Sequence, residues 1–275
     1  GRGRKLAPPP VKELALQAGV PVLQPEKVRD EKLLAQLKEF NPDLIVLTAY
    51  GRILPGSLIN LPPHGTINVH ASLLPKYRGA APIQWALING ETQTGVTIMQ
   101  MAEGLDTGDM LSWRSIPLHA DKTAQMVHDE LAELGAELLL EVVNKMASDH
   151  NPAAVPQDDS MATYAEKIIK AEGEIDWSAS SEQVLRKIKA FNPWPVAYTY
   201  WSGRVLRVWD ARATALNQSA QPGEVVQADH GKLVIACGNG AVELLEVQPE
   251  GKKRMPVEAY LNARKGELTN GSIFG

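Results

Sequence analysis

The sequence has little of several features that would place it in a specialised class of protein. Its 275 residues include one cysteine, Cys237, so an internal disulfide and a thiolate metal cluster are both excluded, and a reducing compartment is indicated. The six histidines show no HxH or HxxH spacing, which argues against a metal site. No apolar run is long enough to cross a bilayer. We therefore expect a cytoplasmic globular protein with no metal and no membrane partner, in which Cys237 is structural.

An excess of charge of one sign is also lacking. The chain has 28 basic and 32 acidic residues, which argues against a surface that is basic all over but allows a local basic patch. The most basic run is at the start, where Arg2 lies between glycines and Arg4 and Lys5 follow. This run is either a solvated surface loop or a basic finger that contacts phosphate. Because no Met precedes it, we expect an N-terminally truncated chain, which leaves organellar targeting open.

Alternating helix and strand patterns predict a doubly wound α/β domain in the first half of the chain. Strands are predicted at 20–23, 43–48, 66–70, 96–101 and 111–118, and helices at 11–18, after Asp30, at 82–89 and at 123–147. The apolar run 43–48 is typical of a parallel strand that is covered on both faces. From 196 onward, five short strands predict a small OB-like barrel. We therefore expect a catalytic domain (1–148), a linker (149–168) and a β domain (169–275).

The strand predicted at 66–70 carries an unusual pair of polar residues. Asn68 and His70 are two residues apart, so they lie on the same face of the strand. Asp106 follows the next strand, and in a parallel sheet the carboxyl ends of neighbouring strands meet at one crevice, so we expect Asp106 to contact the imidazole. Each residue also has a structural interpretation, as a buried amide, a histidine bonded to a carbonyl and a turn former. Their joint placement favours a site suited to direct acyl transfer.

Four blocks of sequence surround these residues: 68–75 (NVHASLLP), 77–84 (YRGAAPIQ), 94–99 (TGVTIM) and 104–109 (GLDTGD). Together they resemble the signature of the 10-formyltetrahydrofolate-dependent formyltransferases. Residues 4–6 and 10–12, 165–167, 174–177, 191–195 and 251–253 resemble the insertion loop and C-terminal domain of those members that formylate methionyl-initiator tRNA. The opening strand and first helix of the family are missing, so we expect a sheet without a central strand.

This resemblance implies a Rossmann-like formyltransferase domain followed by an OB-like tRNA-binding domain. It implies transfer of the formyl group of 10-formyltetrahydrofolate to the α-amine of methionyl-initiator tRNA, for translation initiation, by a monomer. Asn68, His70 and Asp106 are then the catalytic trio, with Asn68 and His70 holding the oxyanion and Asp106 orienting His70. The alternatives are a related formyltransferase acting on an amino-sugar nucleotide and a non-catalytic RNA-binding remnant.

The resemblance also assigns two sets of binding residues. The folate wall comprises Ser72, Leu73, Leu74 and Pro75, together with Tyr50, Arg52, Ile53 and Leu54. The tRNA contacts are Arg2, Arg4, Lys5, Lys167, Arg186, Lys189, Lys252, Lys253 and Arg254. We expect the basic residues to contact phosphates, which position an RNA without reading its sequence.

Overall fold

A computed structural model of the chain describes residues 8–148, 150, 152–216, 218–264 and 266–275. The predicted basic finger, with Arg2, Arg4 and Lys5, lies outside these described residues. Within the described ranges, no helix combines the length and the apolar character needed to cross a membrane.

The first half of the chain forms a mixed four-stranded sheet with helices packed against it. Its helices are α1 (Pro10–Gln17), α2 (Glu31–Glu39), α3 (Gly56–Ile59), α4 (Pro82–Ile88) and α5 (Ala124–Ala147), and its strands are β1 (Ile45–Thr48), β2 (Thr66–His70), β3 (Arg78–Gly79), β4 (Gln93–Gln100) and β5 (Met110–Pro117). The sheet has the order β1-β2-β4-β5. Strands β1 and β2 are parallel, and the other two pairs are antiparallel.

Three details of the predicted sheet are wrong. Strand β4 runs antiparallel to β2, so the carboxyl ends of these strands lie at opposite edges of the sheet. Apolar patterns reveal which residues are buried but do not encode strand direction. Residues 20–23 form no strand, because Pro21 has no N–H to donate to a neighbouring strand. Strand β1 is not covered on both faces, since Val46 is 40% exposed.

Caps and apolar stripes explain the helices that support the sheet. The side chain of Asp30 accepts a hydrogen bond from the Lys32 N–H at 2.9 Å and so caps α2, as predicted. Thr123 caps α5 in the same way. The buried stripe of α5, which includes Val127, Leu131 and Leu138, joins the core formed by β2 and β4. This core holds β2 in place behind its polar face.

The second half of the chain is mainly antiparallel β-structure. Its elements are α6 (Ser181–Ala190), β7 (Ala197–Trp201), β8 (Arg204–Thr214), β9 (Val225–Asp229), β10 (Lys232–Ala236), β11 (Ala241–Pro249), β12 (Met255–Pro256) and α7 (Val257–Asn262). The strand order is β7-β8-β11-β10-β9, with β12 paired to β11. The core of this half includes Trp177, whose indole N–H donates to the Thr199 hydroxyl at 2.9 Å, and Cys237. Burial raises the pKa of the Cys237 thiol to about 12, which agrees with its expected structural role.

Residues 155–166, here called the connecting segment, lie between the two halves and bond to the first half. Val155 forms an antiparallel bridge with Met110. Strand β6 (Tyr164–Ala165), at the end of the segment, pairs in parallel with β3. The carbonyl oxygen of Glu166 accepts a hydrogen bond from the Trp85 indole at 2.9 Å. Part of the predicted linker is therefore built into the first half, close to the end of β2.

Candidate active site

Strand β2 presents two polar side chains on one face. Asn68 and His70 lie about 6.6 Å apart along the strand, as two successive residues on one face must. Ile67, on the opposite face, is completely buried in the core, and this burial fixes the register of the strand. Among the described residues, no group forms a hydrogen bond with the Asn68 side-chain amide. Its N–H donors are therefore available to a substrate oxygen.

His70 is 5% exposed, and a backbone carbonyl fixes which of its two ring nitrogens carries a hydrogen. Its Nε2 lies 2.9 Å from the carbonyl oxygen of Tyr77. Because a carbonyl can only accept, Nε2 carries the proton in this contact. In the neutral ring, Nδ1 is then the unprotonated nitrogen. The structural interpretation of His70 as a histidine bonded to a carbonyl is thus correct for Nε2. The other nitrogen, Nδ1, is available to accept a proton.

Tyr77 is held in an unusual conformation that aims its carbonyl at His70. Its φ is +62°, which is uncommon for a bulky residue. Its N–H donates to the Thr163 hydroxyl at 2.9 Å, and its own hydroxyl donates to Glu91 at 2.8 Å and accepts from Asn89 at 3.1 Å. Burial raises the pKa of the Tyr77 hydroxyl to about 12, so it stays protonated and donates to Glu91. These contacts anchor both ends of the residue.

Asp106 reaches His70 by a path that the predicted sheet did not contain. The loop 101–109 leaves β4 beside Thr66, where the Met101 N–H donates to the Thr66 carbonyl at 2.8 Å. Thr66 and His70 are at opposite ends of β2. The loop then brings Asp106, at φ +51°, to within 3.6 Å of His70, measured from Oδ2 to Nδ1. The expected contact is present, although the parallel strand direction from which it was inferred is wrong.

Gly79 holds the carboxylate of Asp106 in place. Its N–H donates to Asp106 Oδ2 at 2.9 Å. Gly79 has a φ of +123°, which side-chain-bearing residues rarely adopt. A Cβ at this position would lie 2.6 Å from the carbonyl oxygen of Ala165. The pairing of β3 with β6 therefore requires glycine here and points its N–H at Asp106.

The arrangement combines a hydrogen-bond donor with a proton acceptor. If Nδ1 of His70 takes up a proton, the resulting imidazolium lies beside the Asp106 carboxylate, which stabilises the positive charge. Asn68, on the same face, can donate to a developing oxyanion. The nearest serine, Ser72, is completely buried, and its hydroxyl donates to the Lys76 carbonyl at 2.6 Å. The geometry thus suits direct attack of a substrate amine on an acyl carbon.

Comparison with known families agrees with this chemistry. A family model described as formyl transferase matches residues 1–143, and a second, described as formyl transferase C-terminal domain, matches residues 167–265. The chain belongs to the formyl transferase family. Family membership makes it a formyl-transferring enzyme and confirms the predicted pairing of a Rossmann-like domain with a C-terminal domain.

Individual relatives cover nearly the whole formyl transferase chain. Methionyl-tRNA formyltransferase of Caldanaerobacter subterraneus subsp. tengcongensis is 48% identical over 95% of this chain and 84% of the relative. The enzyme of the same name from Geobacter metallireducens is 46% identical over 95% of this chain and 83% of the relative. Among solved structures, HypX from Aquifex aeolicus in complex with tetrahydrofolic acid aligns with a TM-score of 0.66 at 23% identity. That alignment covers 85% of this chain and 41% of HypX and shows the fold alone.

In this formyl transferase, residues 72–75 follow directly after the polar face of β2. Leu74 is buried, while Leu73 and Pro75 are half-buried. Thr97, on β4, supports this loop from behind. Its hydroxyl donates to the Ser72 carbonyl at 2.7 Å and accepts from the Leu74 N–H at 3.2 Å. The loop is therefore rigidly attached to the sheet.

The second predicted part of the folate wall lies after β1. Tyr50 and Ile53 are 44% and 74% exposed, so both offer apolar surface that is not used in the core. Leu54 is buried against α3. The Arg52 guanidinium donates to the Glu26 carbonyl at 2.6 Å. Only Tyr50 and Ile53 of this set therefore present large free side chains.

The predicted tRNA residues fall into two classes in the structure. Lys167, Lys252 and Lys253 are exposed, and none of them forms a salt bridge with another described residue. The other three cations are paired with carboxylates: Lys189 with Asp210 at 2.6 Å, Arg186 with Glu182, and Arg254 with Glu246. Arg254 also lies over the Trp209 ring, 4.7 Å from its centroid. Four of these cationic residues lie near Trp209 in the second half of the chain: Lys189, Lys252, Lys253 and Arg254.

Sequence reasoning missed the residues that hold the trio in place. Each of them forms a hydrogen bond that involves backbone, either with a residue of the trio or with the loop 72–75. They are Tyr77, Gly79, Thr97 and Gln157. Their side chains follow no period or ligand spacing, so no pattern could identify them. The exception is Gly79, because a glycine within the quoted block 77–84 can indicate a positive φ or a close approach of the backbone.

Proposed function

We propose that this formyl transferase moves the formyl group of 10-formyltetrahydrofolate to the α-amine of methionyl-initiator tRNA. The product is N-formylmethionyl-tRNA, which is used for translation initiation. The observation that carries this proposal is the contact between His70 and Asp106, with Asn68 on the same face of β2 as His70, in a chain whose relatives carry the name methionyl-tRNA formyltransferase. The predicted function and the described relatives therefore agree.

The reaction needs one bond formed and one broken. The amine nitrogen attacks the formyl carbon, and the carbonyl electron pair moves to oxygen. The amide N–H of Asn68 donates to this oxyanion, and His70 adds positive charge once Nδ1 holds the proton released by the amine. The oxyanion pair then re-forms the C=O bond, the bond from carbon to the folate nitrogen breaks, and that nitrogen takes up the proton from Nδ1. Asp106 offsets the imidazolium charge and keeps the ring oriented.

We assign the folate co-substrate to the two loops that follow the carboxyl ends of the parallel strands β1 and β2. Residues 72–75 provide a rigid edge with half-buried Leu73, and Tyr50 and Ile53 provide exposed apolar side chains. A flat pterin ring needs apolar walls and a few backbone hydrogen bonds. Three buried residues support these walls from inside: Ser72, Leu74 and Leu54. Arg52 and Pro75 are the remaining residues that we assign to the folate wall.

The tRNA contacts follow from charge and exposure. Lys167, Lys252 and Lys253 are the exposed cations, and Arg186, Lys189 and Arg254 must exchange a carboxylate for a phosphate. Arg2, Arg4 and Lys5 remain predicted contacts to the acceptor end. The division of the chain into a catalytic domain (1–148), a linker (149–168) and a tRNA-binding domain (169–275) belongs to this proposal.

The test measures formyl transfer to methionyl-tRNA by the purified protein and by Asn68→Ala. Loss of one oxyanion donor costs about 3 kcal/mol, so we expect roughly a hundredfold lower kcat with unchanged thermal unfolding. Asn262→Ala, at the end of α7 in the second half of the chain, is the matched control and should keep full activity. Near-normal turnover by Asn68→Ala would refute the assigned role.

The same assay separates the competing functions. Offered 10-formyltetrahydrofolate with either methionyl-tRNA or an amino-sugar nucleotide, the protein should formylate only the tRNA. Formylation of the sugar would overturn the proposed substrate. Binding of tRNA without any turnover would identify a non-catalytic RNA-binding protein.

A further inference from the structure

Gln157, in the connecting segment, bonds to the loop that carries Asp106. Its side-chain Nε2 lies 2.9 Å from the backbone carbonyl oxygen of Asp106 and 2.7 Å from that of Gly108. One amide group therefore uses both of its hydrogens on the same loop. Two carbonyls that converge on one nitrogen fix the spacing between residues 106 and 108. The loop has few other anchors near Asp106, besides the Gly79 N–H on the carboxylate itself.

Arg78 fixes which way the Gln157 amide points. The guanidinium Nε and Nη2 lie 3.0 and 2.8 Å from Gln157 Oε1. A guanidinium only donates and a carbonyl only accepts, so the amide cannot be reversed without breaking four hydrogen bonds. Arg78 is 2% exposed and also pairs with Asp159 at 2.7 Å. The donor end of Gln157 is thus held towards the loop by a buried cation.

Arg78 and the catalytic trio lie in one continuous network. Arg78 is in β3, next to Gly79, whose N–H donates to the Asp106 carboxylate. The carboxylate of Asp106 is therefore held from β3 directly, and its backbone is held from β3 through Gln157. Both contacts restrain the residue whose Oδ2 lies 3.6 Å from Nδ1 of His70. A side chain 51 residues away in sequence thus bonds to the backbone of Asp106.

We propose that Gln157 is a positioning residue for formyl transfer, which sets the distance of Asp106 from His70 by clamping the carbonyls of residues 106 and 108. The inference rests on the proposed function, because turnover reports the effect. Among the described residues, the hydrogen bonds of the Gln157 side chain go to Arg78, Asp106 and Gly108, and none goes to His70 or to the folate wall. Its influence therefore passes through Asp106 and should change the chemical step more than substrate binding.

A purely structural role for Gln157 would be to satisfy the buried guanidinium of Arg78. Gln157→Glu distinguishes the two roles. A glutamate keeps the acceptor oxygens for Arg78 and adds an ion pair, but it has no N–H to donate and places a carboxylate against two carbonyl oxygens. Asp159→Asn is the matched control, because it weakens the same cation's pairing and touches no residue of the loop.

We expect Gln157→Glu to lower kcat roughly 10- to 100-fold, since a misplacement of about 1 Å can cost a hundredfold, with KM for both substrates within about threefold of wild type. Its unfolding midpoint should stay close to that of the wild type. Backbone amides of residues 101–109 should exchange with deuterium faster in Gln157→Glu than in wild type. Asp159→Asn should change neither kcat nor this exchange.

A double variant tests whether the effect passes through Asp106. In an Asp106→Asn background, adding Gln157→Glu should lower kcat less than twofold further, because the carboxylate to be positioned is already gone. Equal losses in both backgrounds, or wild-type kcat in Gln157→Glu, would overturn the positioning role. If the wild type itself fails to formylate methionyl-tRNA, the proposed function fails, and the deuterium exchange still decides whether Gln157 clamps the loop.

Discussion

Replacing Thr97 with valine should loosen the folate wall while preserving the shape of the core. Thr97 is completely buried, and its hydroxyl bridges the carbonyl of Ser72 and the N–H of Leu74. Valine is nearly isosteric but offers neither donor nor acceptor. The substitution therefore leaves two backbone groups without a partner at the site where the chain leaves β2.

The magnitude follows from these two groups. An unsatisfied buried polar group costs about 1–3 kcal/mol, so Thr97→Val should lower the free energy of unfolding by about 2–4 kcal/mol, allowing for some relaxation. Thr97→Ser is the matched control, since it keeps the hydroxyl and removes one buried methyl at a cost of about 1 kcal/mol. The difference between the two variants isolates the hydrogen bonds from the packing.

Urea unfolding and steady-state kinetics measure the two consequences. Thr97→Val should raise KM for 10-formyltetrahydrofolate several-fold and leave KM for tRNA near its wild-type value, because only residues 72–75 lose their support. Thr97→Ser should leave both KM values unchanged. A Thr97→Val protein that is as stable as Thr97→Ser and binds folate normally would refute the idea that this hydroxyl holds the wall.

Two further predictions concern Gly79 and Cys237. Gly79→Ala places a Cβ 2.6 Å from the Ala165 carbonyl at a φ of +123°, so it should cost roughly 1–3 kcal/mol of stability and lower kcat; an unchanged melting temperature would count against it. The buried Cys237 thiol has its pKa raised from 9.0 to about 12, so the stability it confers is complete below pH 9 and is lost as the pH rises towards 12. Between pH 8 and pH 10, wild type should lose about 1 kcal/mol more unfolding free energy than Cys237→Ala, and parallel curves would contradict this.

The sequence predicts best where one physical pattern decides the structure. Strand β2 has the predicted bounds 66–70, because alternating residues with one buried face allow a single register. Helix α2 begins after Asp30 because a local side-chain cap suffices. For the same reason, Asn68 and His70, which are both in β2, lie on one face of the strand, as expected.

Asp106 shows where such reasoning stops. Its contact with His70 was expected from parallel strands, and the strands are antiparallel. The contact exists because loop 101–109 returns along the sheet, and the path of a loop depends on hydrogen bonds to residues distant in sequence. Tyr77 is similar: its φ of +62° is maintained by Thr163, Glu91 and Asn89 together, and no one of these could be inferred from the motif around it.

Two residues of the connecting segment, Gln157 and Thr163, support the catalytic trio through hydrogen bonds. Thr163 holds the N–H of Tyr77, whose carbonyl fixes the tautomer of His70, while Gln157 holds the backbone of Asp106. Both partners of the imidazole are thus positioned by residues that composition assigned to a linker. A composition of turn-forming residues indicates only that a segment has no helix or strand of its own. Asp, Ala and Pro are equally compatible with a segment whose individual residues form hydrogen bonds to a neighbouring part of the chain. The geometry of the trio therefore depends on residues of the predicted linker (149–168), which bond to the catalytic domain through hydrogen bonds.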